Sequence, residues 1–249
     1  MENYFEKEFE LRYFEMNKFA EAESTIILTL LEETAADHCH SINQSLYDLQ
    51  NQNIGWVLLS GIMTMDRYPK YKEKIIIRTW LSNYSLIKGI RENIIYDEKR
   101  NVIGRAKGLW LFFDIKRRRP TQIFESIQEK WSYCSEESIN HDITQKIKTI
   151  DIAKHVKEFK VNRSDVDTNQ HVNNIKYFEW LIESLPEEII DNYYLHSIDG
   201  RFIAEAQHGD TIMSITERDV NENSFIHAIK TQHNNKDCAT AKTVWKKRI

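Results

Sequence analysis

Ala106-Lys107-Gly108-Leu109-Trp110 and Ala241-Lys242-Thr243-Val244-Trp245 spell the same pattern, AKxxW, at an offset of 135 residues. A five-residue echo is slight alone, but each copy falls in the last long strand-like run of its half of the chain, where a duplicated unit would put it. Outward from the first copy, "FEKEFELRYFEM" (5–16) alternates at period two, and "AESTIILTLLEETAADHCHSI" (22–42) repeats apolar residues at helical spacing from an N-cap at Ser24. The β-branched and aromatic runs 55–68, 73–85 and 90–116 follow, the last folded back by a turn at 97–101. Around the second copy the order recurs: strand 154–165, helix "HVNNIKYFEWLIESL" (171–185) stopped by Pro186, strands 196–206 and 210–220, and a hairpin over 224–248.

Each half is therefore a strand, one long helix and an antiparallel meander. With a single helix to cover, a sheet buries it by curling round it, so the expected class is α+β, two repeats each with a long helix wrapped by an antiparallel sheet. In the second helix Val172, Ile175, Phe178, Ile182 and Leu185 form one apolar stripe, which Tyr177, Trp180 and Leu181 widen; such a helix is largely buried. Residues 126–150 lose the alternation, so the expected division is 1–125, a linker at 126–150, and 151–249.

The chain has 249 residues, 41% of them hydrophobic, and a net charge of −4, enough for a substantial core and too balanced for a nucleic-acid footprint. The basic runs 116–119 and 246–248 read as solvated strand ends. Cys39, Cys134 and Cys238 are scattered, with neither a disulfide framework nor a metal knuckle, which fits a reducing cytoplasm. The acidic start "MENYFEKEFELRYF" is unlike a targeting peptide, and no apolar run reaches the ~18 residues that span a bilayer, so no membrane association is expected. His38 and His40 flank Cys39, but i and i+2 diverge on a helix and no HExxH occurs; no metal and no cofactor are expected. Neither a GxSxG elbow nor a glycine-rich phosphate cradle is present.

"SDVDTNQHVNNIKY" (164–177) crowds carboxylates, amides, an imidazole and hydroxyls before an apolar helix. If that helix starts near His171, its first N–H groups and the positive end of its dipole face the 167–170 turn and can polarise a carbonyl oxygen. Asp167 and His171 are candidates for the base of an ester or thioester hydrolysis, with the Asn169 amide holding a water or orienting the imidazole. Helix capping explains Asp, Thr and Asn equally well, at about 1 kcal/mol for a single residue. More polar groups converge here than a cap needs.

Residues 165–186, "DVDTNQHVNNIKYFEWLIESLP", closely resemble the signature of acyl-ACP (acyl-acyl-carrier-protein) thioesterases, the double-hotdog enzymes of plant plastids and their bacterial relatives. "GWVLLSGIMTMDRYPKYKEKIIIRTWL" and "GRAKGLWLFFDIKRRRPTQI" are similar to segments of the same family's first half. The resemblance implies a double hotdog that hydrolyses the thioester joining a fatty acyl chain to acyl carrier protein, releasing free fatty acid and ending elongation. It implies functional roles for Asp167, Asn169, His171 and, in "RFIAEAQHGD", Glu205, together with acyl-chain binding in the N-terminal hotdog and a homodimer. The plastid enzymes carry a cysteine after that glutamate; here the position is Ala206, so a carboxylate mechanism is expected. Glu179 stands where the family often has glycine. The alternatives are a hotdog acyl-CoA thioesterase and a non-catalytic hotdog that binds acyl thioesters.

Overall fold

The computed structural model describes residues 4–131, 133–150, 155–167, 172–220 and 223–248. The chain divides into two compact units, Met1–Ile143 (unit 1) and Thr144–Ile249 (unit 2). Unit 1 contains β1 (Phe5–Glu10), α1 (Ser24–Ser41), α2 (Leu46–Asn51), β2 (Ile54–Met65), β3 (Lys74–Tyr84), β4 (Lys88–Asp97), β5 (Val102–Asp114), β6 (Arg119–Pro120) and α3 (Glu125–Gln128). Its strands pair antiparallel in the order β1-β3-β4-β5-β2, with β6 on the end of β5.

The sheet's inner face meets α1. Ile75, Ile77, Ile95 and Met63 line it, and Ile27 and Leu31 come down from the helix, all buried. A fully buried Ile contributes roughly 2–3 kcal/mol. On the opposite face Glu92 is wholly buried: its Oε1 accepts from Ser82 Oγ at 2.8 Å, and its Oε2 from Ser138 N at 3.0 Å and Ser138 Oγ at 2.6 Å. Lys107, directly across from Glu92, bonds Glu137 at 3.0 Å and approaches Glu92 Oε1 at 3.8 Å, while Trp80 Nε1 donates to the Glu136 carbonyl. Residues 133–141 are thus laid over the outer face of their own unit's sheet.

Unit 2 repeats the plan with β7 (His155–Lys160), α4 (Asn174–Glu183), α5 (Glu187–Asn192), β8 (Tyr193–Phe202), β9 (Thr211–Arg218), β10 (Ser224–Thr231) and β11 (Asp237–Lys247). Its antiparallel order is β8-β11-β10-β9-β7. The expected burial of the second helix is met: Ile175, Tyr177, Phe178, Trp180 and Leu181 are all buried, and Ser214 Oγ of β9 donates to the Trp180 carbonyl at 2.9 Å. Ile150 packs on Ile215 and Ala228 of this unit's sheet.

The two AKxxW motifs sit at matching places. Ala106 pairs with Asn93, which pairs with Thr79; Ala241 pairs with His227, which pairs with Thr216. The short helices α2, α3 and α5 were not among the expected elements. Two of them carry a start signal: a capping box joins Ser45 and Asp48 before α2, and Pro186 stands at the N-cap of α5. Ser24 is the first residue of α1 and not its cap. Glu23 holds the cap position with no side-chain bond.

His227 is fully buried, between Thr216 Oγ1 and Thr243 Oγ1 at 2.8 Å each, and burial lowers its pKa to about 3. His38 is likewise lowered to about 3, by burial and then by the Arg91 charge. Both are neutral in the folded protein and protonate near 6.5 when unfolded, so their contribution is complete above that pH and is lost as pH falls from about 6.5 toward 3. Each histidine should remove about 1.4 kcal/mol of stability per pH unit across that window. Urea unfolding at pH 7, 6 and 5 checks this, and a flat profile would contradict it.

Candidate active site

A 3-10 turn, Arg163–Asp165, leads from β7 toward α4. Asp165 is buried there; its Oδ2 accepts from Asn162 N at 2.8 Å and its carbonyl from Asn173 N at 2.9 Å. An isolated antiparallel bridge pairs Val166 with Val172. The residues flanking 167–171 are thereby held side by side. Asp167, half-buried, is the first residue past that neck. Asn169 and His171 lie outside the described residues.

The helix begins later than the sequence pattern suggests. α4 starts at Asn174, and Asn173 Oδ1 caps it by accepting from Ile175 N at 2.8 Å. An apolar stripe reports which residues are buried, whereas the first helical residue is set by the cap, and Asn173 competes better for that place than His171. The positive end of the α4 dipole therefore lies at residues 173–176. Lys176 adds charge nearby, 2.7 Å from Glu179 and 3.9 Å from Asp165.

Glu205 sits in the 203–210 loop after β8, with its side chain exposed. The loop is tied at several points. Ile203 N and Ala204 N donate to the Cys238 carbonyl at 2.8 and 3.1 Å, and Gln207 N donates to Asp210 Oδ2 at 2.8 Å. Gly209 N reaches the Val161 carbonyl at 3.1 Å, at a φ of 90° that favours glycine, and Val161 N returns a bond to Asp210 O. Val161 opens the segment that carries Asp165 and Asp167, so the two candidate segments share an anchor.

Tyr177 supplies a second link that pattern reading placed in the apolar helix without a role. Its buried hydroxyl accepts from Ala206 N at 2.9 Å, tying α4 to the residue beside Glu205. Burial pushes the phenol pKa up, and the Glu205 and Asp210 charges push the same way, so the group stays neutral. The signal was a tyrosine among the apolar positions of a buried helix, a residue whose hydroxyl needs a partner.

A cysteine does lie beside this site in space, though not in sequence: Cys238, whose carbonyl holds the Glu205 loop. Its side chain is wholly buried and its thiol is pushed up to about 11, mainly by burial. It stays protonated at neutral pH and is unsuited to attack. Cys39 is buried in α1 with its pKa raised for the same reason. As the i, i+2 spacing implied, His38 and His40 diverge, one buried and one exposed. Among the described residues no group of three or more His, Cys, Asp or Glu is placed to hold a metal.

Each unit thus sets a long helix against an antiparallel sheet, as expected, and in unit 2 Asp167 lies on the segment leading to α4 while Glu205 lies on a loop anchored to the start of that segment. The model of the acyl-ACP thioesterase N-terminal domain matches residues 2–131, and that of its C-terminal domain residues 147–247. The chain belongs to the acyl-ACP thioesterase family. It is 27% identical to oleoyl-acyl carrier protein thioesterase 2, chloroplastic, of Arabidopsis thaliana, over 98% of this chain and 77% of the relative. The coriander (Coriandrum sativum) oleoyl-acyl carrier protein thioesterase is 28% identical, over 90% of this chain and 65% of that protein. Among solved structures, the 12:0-ACP thioesterase from Umbellularia californica superposes with a TM-score of 0.88 at 17% identity, covering 100% of this chain and 99% of that one. An acyl-ACP thioesterase from Bacteroides thetaiotaomicron gives 0.87 at 21% identity, covering 98% of each.

Proposed function

We propose that this thioester hydrolase cuts fatty acyl-ACP from a carboxylate centre in unit 2, with Asp167 and Glu205 as its acid–base groups and unit 1 taking the acyl chain. Membership of the acyl-ACP thioesterase family carries the reaction class. The shared Val161 anchor of the segments bearing Asp167 and Glu205, and the buried, protonated thiols of Cys39 and Cys238, support the choice of groups. In the scheme, Asp167 or Glu205 removes a proton from water, or Asp167 itself attacks; the thioester carbonyl gains a C–O bond, and its oxyanion is stabilised by Asn169 and the helix dipole. The C–S bond then breaks, and the departing thiolate takes a proton from His171; where Asp167 has attacked, the acyl group stays on its carboxylate as an anhydride, which water then hydrolyses to regenerate Asp167. Free fatty acid and the carrier's thiol are the products.

Residues 25–41 and 56–65 are assigned to chain-length selection. The acidic carrier protein is the partner, and the exposed basic run 116–119 and residues 246–248 offer it complementary charge. A cytoplasmic homodimer completes the proposal. No described helix is long and apolar enough to cross a membrane, whereas the plant relatives are named as chloroplastic. Sedimentation of the purified chain reads the dimer.

The test of the function is fatty-acid release from long-chain acyl-ACP beside the matched acyl-CoA. Faster release from the carrier substrate is expected. A rate on acyl-CoA far above it, or tight binding without release, would overturn the proposal. Tyr177→Phe should lower kcat about tenfold with little change in KM, because the buried Ala206 N–H loses its acceptor and the Glu205 loop its tie to α4. An unchanged kcat would show that this link does not position Glu205.

A further inference from the structure

The inner-face rows that flank the AKxxW motifs are satisfied in one unit and open in the other. In unit 2 the row runs Thr216, His227, Thr243, Trp245: His227 bonds both hydroxyls, and Trp245 Nε1 donates to Thr243 Oγ1 at 2.9 Å. Phe225, opposite Thr243, fills the next place with a buried ring. Every polar group in that row has a partner, and the row closes on itself.

In unit 1 the matching residues are Thr79, Asn93, Gly108 and Trp110, with Arg91 in the place of Phe225. Gly108 offers no hydroxyl where Thr243 stands; a Cβ there would meet Trp110 Nε1 at 3.0 Å. Asn93, 6% exposed, leaves its Oδ1 without a partner. Arg91, also 6% exposed, donates from Nη1 to Thr79 Oγ1 at 3.1 Å and to His38 Nδ1 at 3.0 Å, and no carboxylate among the described residues pairs with it. An arginine only donates, so His38 Nδ1 is the acceptor and Nε2 carries the hydrogen. That Nε2, on a side chain 1% exposed, has no partner.

The same register thus leaves one buried donor and one buried acceptor unsatisfied, beside a guanidinium. Each such orphan costs about 1–3 kcal/mol unless a partner arrives. A methylene chain satisfies neither. A hydroxyl carries both complements, a lone pair for the His38 Nε2–H and a proton for Asn93 Oδ1.

We propose that the His38–Arg91–Asn93 cluster is a subsite for a hydroxyl group on the acyl chain, so that the enzyme prefers hydroxylated acyl-ACP to its saturated counterpart. This rests on the reading that unit 1 takes the acyl chain of an acyl-ACP substrate. Sites built to bond a substrate hydroxyl discriminate strongly against analogues that lack it, since the orphaned groups then stay unpaired.

The experiment compares kcat/KM on acyl-ACPs of one chain length, either saturated or bearing a single hydroxyl at successive carbons. At least one hydroxylated isomer should exceed the saturated substrate by about tenfold or more. In Asn93→Leu that ratio should collapse to about 1, with no fall in the thermal midpoint, because an unpaired polar atom leaves the core. His38→Phe, which keeps the stacking against Phe5 but takes an acceptor from Arg91, should collapse the ratio from the donor side, here with a fall in the thermal midpoint. Equal turnover of all isomers by the wild-type chain would overturn the proposal and leave the thioesterase reading intact. A tenfold preference that survives in both variants would overturn it too. Failure to release fatty acid from any of these substrates would strike the proposed function itself.

Discussion

Asp167→Asn should lower fatty-acid release from acyl-ACP by about 10³-fold while leaving the thermal midpoint nearly unchanged. The magnitude follows from the role: a positioned base contributes about 10²- to 10⁴-fold, and an amide of the same shape can neither take a proton nor attack. The stability half of the expectation follows from the local structure. The neck before Asp167 is held by Asp165, the Asn173 N–H and the Val166 to Val172 bridge, and asparagine keeps the size and one acceptor oxygen of the half-buried Asp167 side chain. A matched Asp165→Asn control should behave in the opposite sense, because its buried carboxylate accepts from Asn162 N and faces Lys176. Activity retained in Asp167→Asn would remove this residue from the mechanism. A large drop in the midpoint would reassign it to folding.

Glu92→Leu should destabilise unit 1 by about 3–5 kcal/mol, the usual effect of removing one member of a buried ionic cluster. Glu92 gathers Ser82, both donors of Ser138 and the charge of Lys107 beneath residues 133–141. Without it the buried ammonium keeps, among the described residues, Glu137, half of whose side-chain surface is exposed, and two carbonyls at 3.4 Å. The loss should be recovered in large part by Glu92→Leu, Lys107→Met, which removes the stranded charge as well. Denaturant unfolding measures both variants, and limited proteolysis near residues 133–141 should accelerate only in the single one. A double variant as unstable as the single would show that the serine bonds dominate.

The repeat was legible because strand alternation and the AKxxW echo are local signals, and β5 and β11 carry that echo in the same register. The helix boundaries were less so. Ser24 and His171 look like starts, yet the first helical turns are decided by backbone geometry at Glu23 and Asn173. Of the candidate site, Asp167 and Glu205 were legible only as sequence. Their shared anchor depends on Val161 and Cys238 carbonyls, and backbone groups leave no residue-type signature. Tyr177 was read as part of the apolar stripe, since its partner, the Ala206 amide, lies 29 positions away. The open row of unit 1 could not be read at all before the register was known. Arg91 and Asn93 resemble the solvent-facing residues of an alternating strand until α1 is placed over them.

The central claim is thioester hydrolysis by carboxylates with no cysteine in the chemistry. The most direct measurement is the turnover number for fatty-acid release from acyl-ACP by a chain with Cys39, Cys134 and Cys238 all replaced by alanine. A kcat within about threefold of the wild-type value is expected, because the thiols at 39 and 238 are buried and protonated and Ala206 stands beside Glu205. A folded cysteine-free chain that binds acyl-ACP but no longer releases fatty acid would contradict the account.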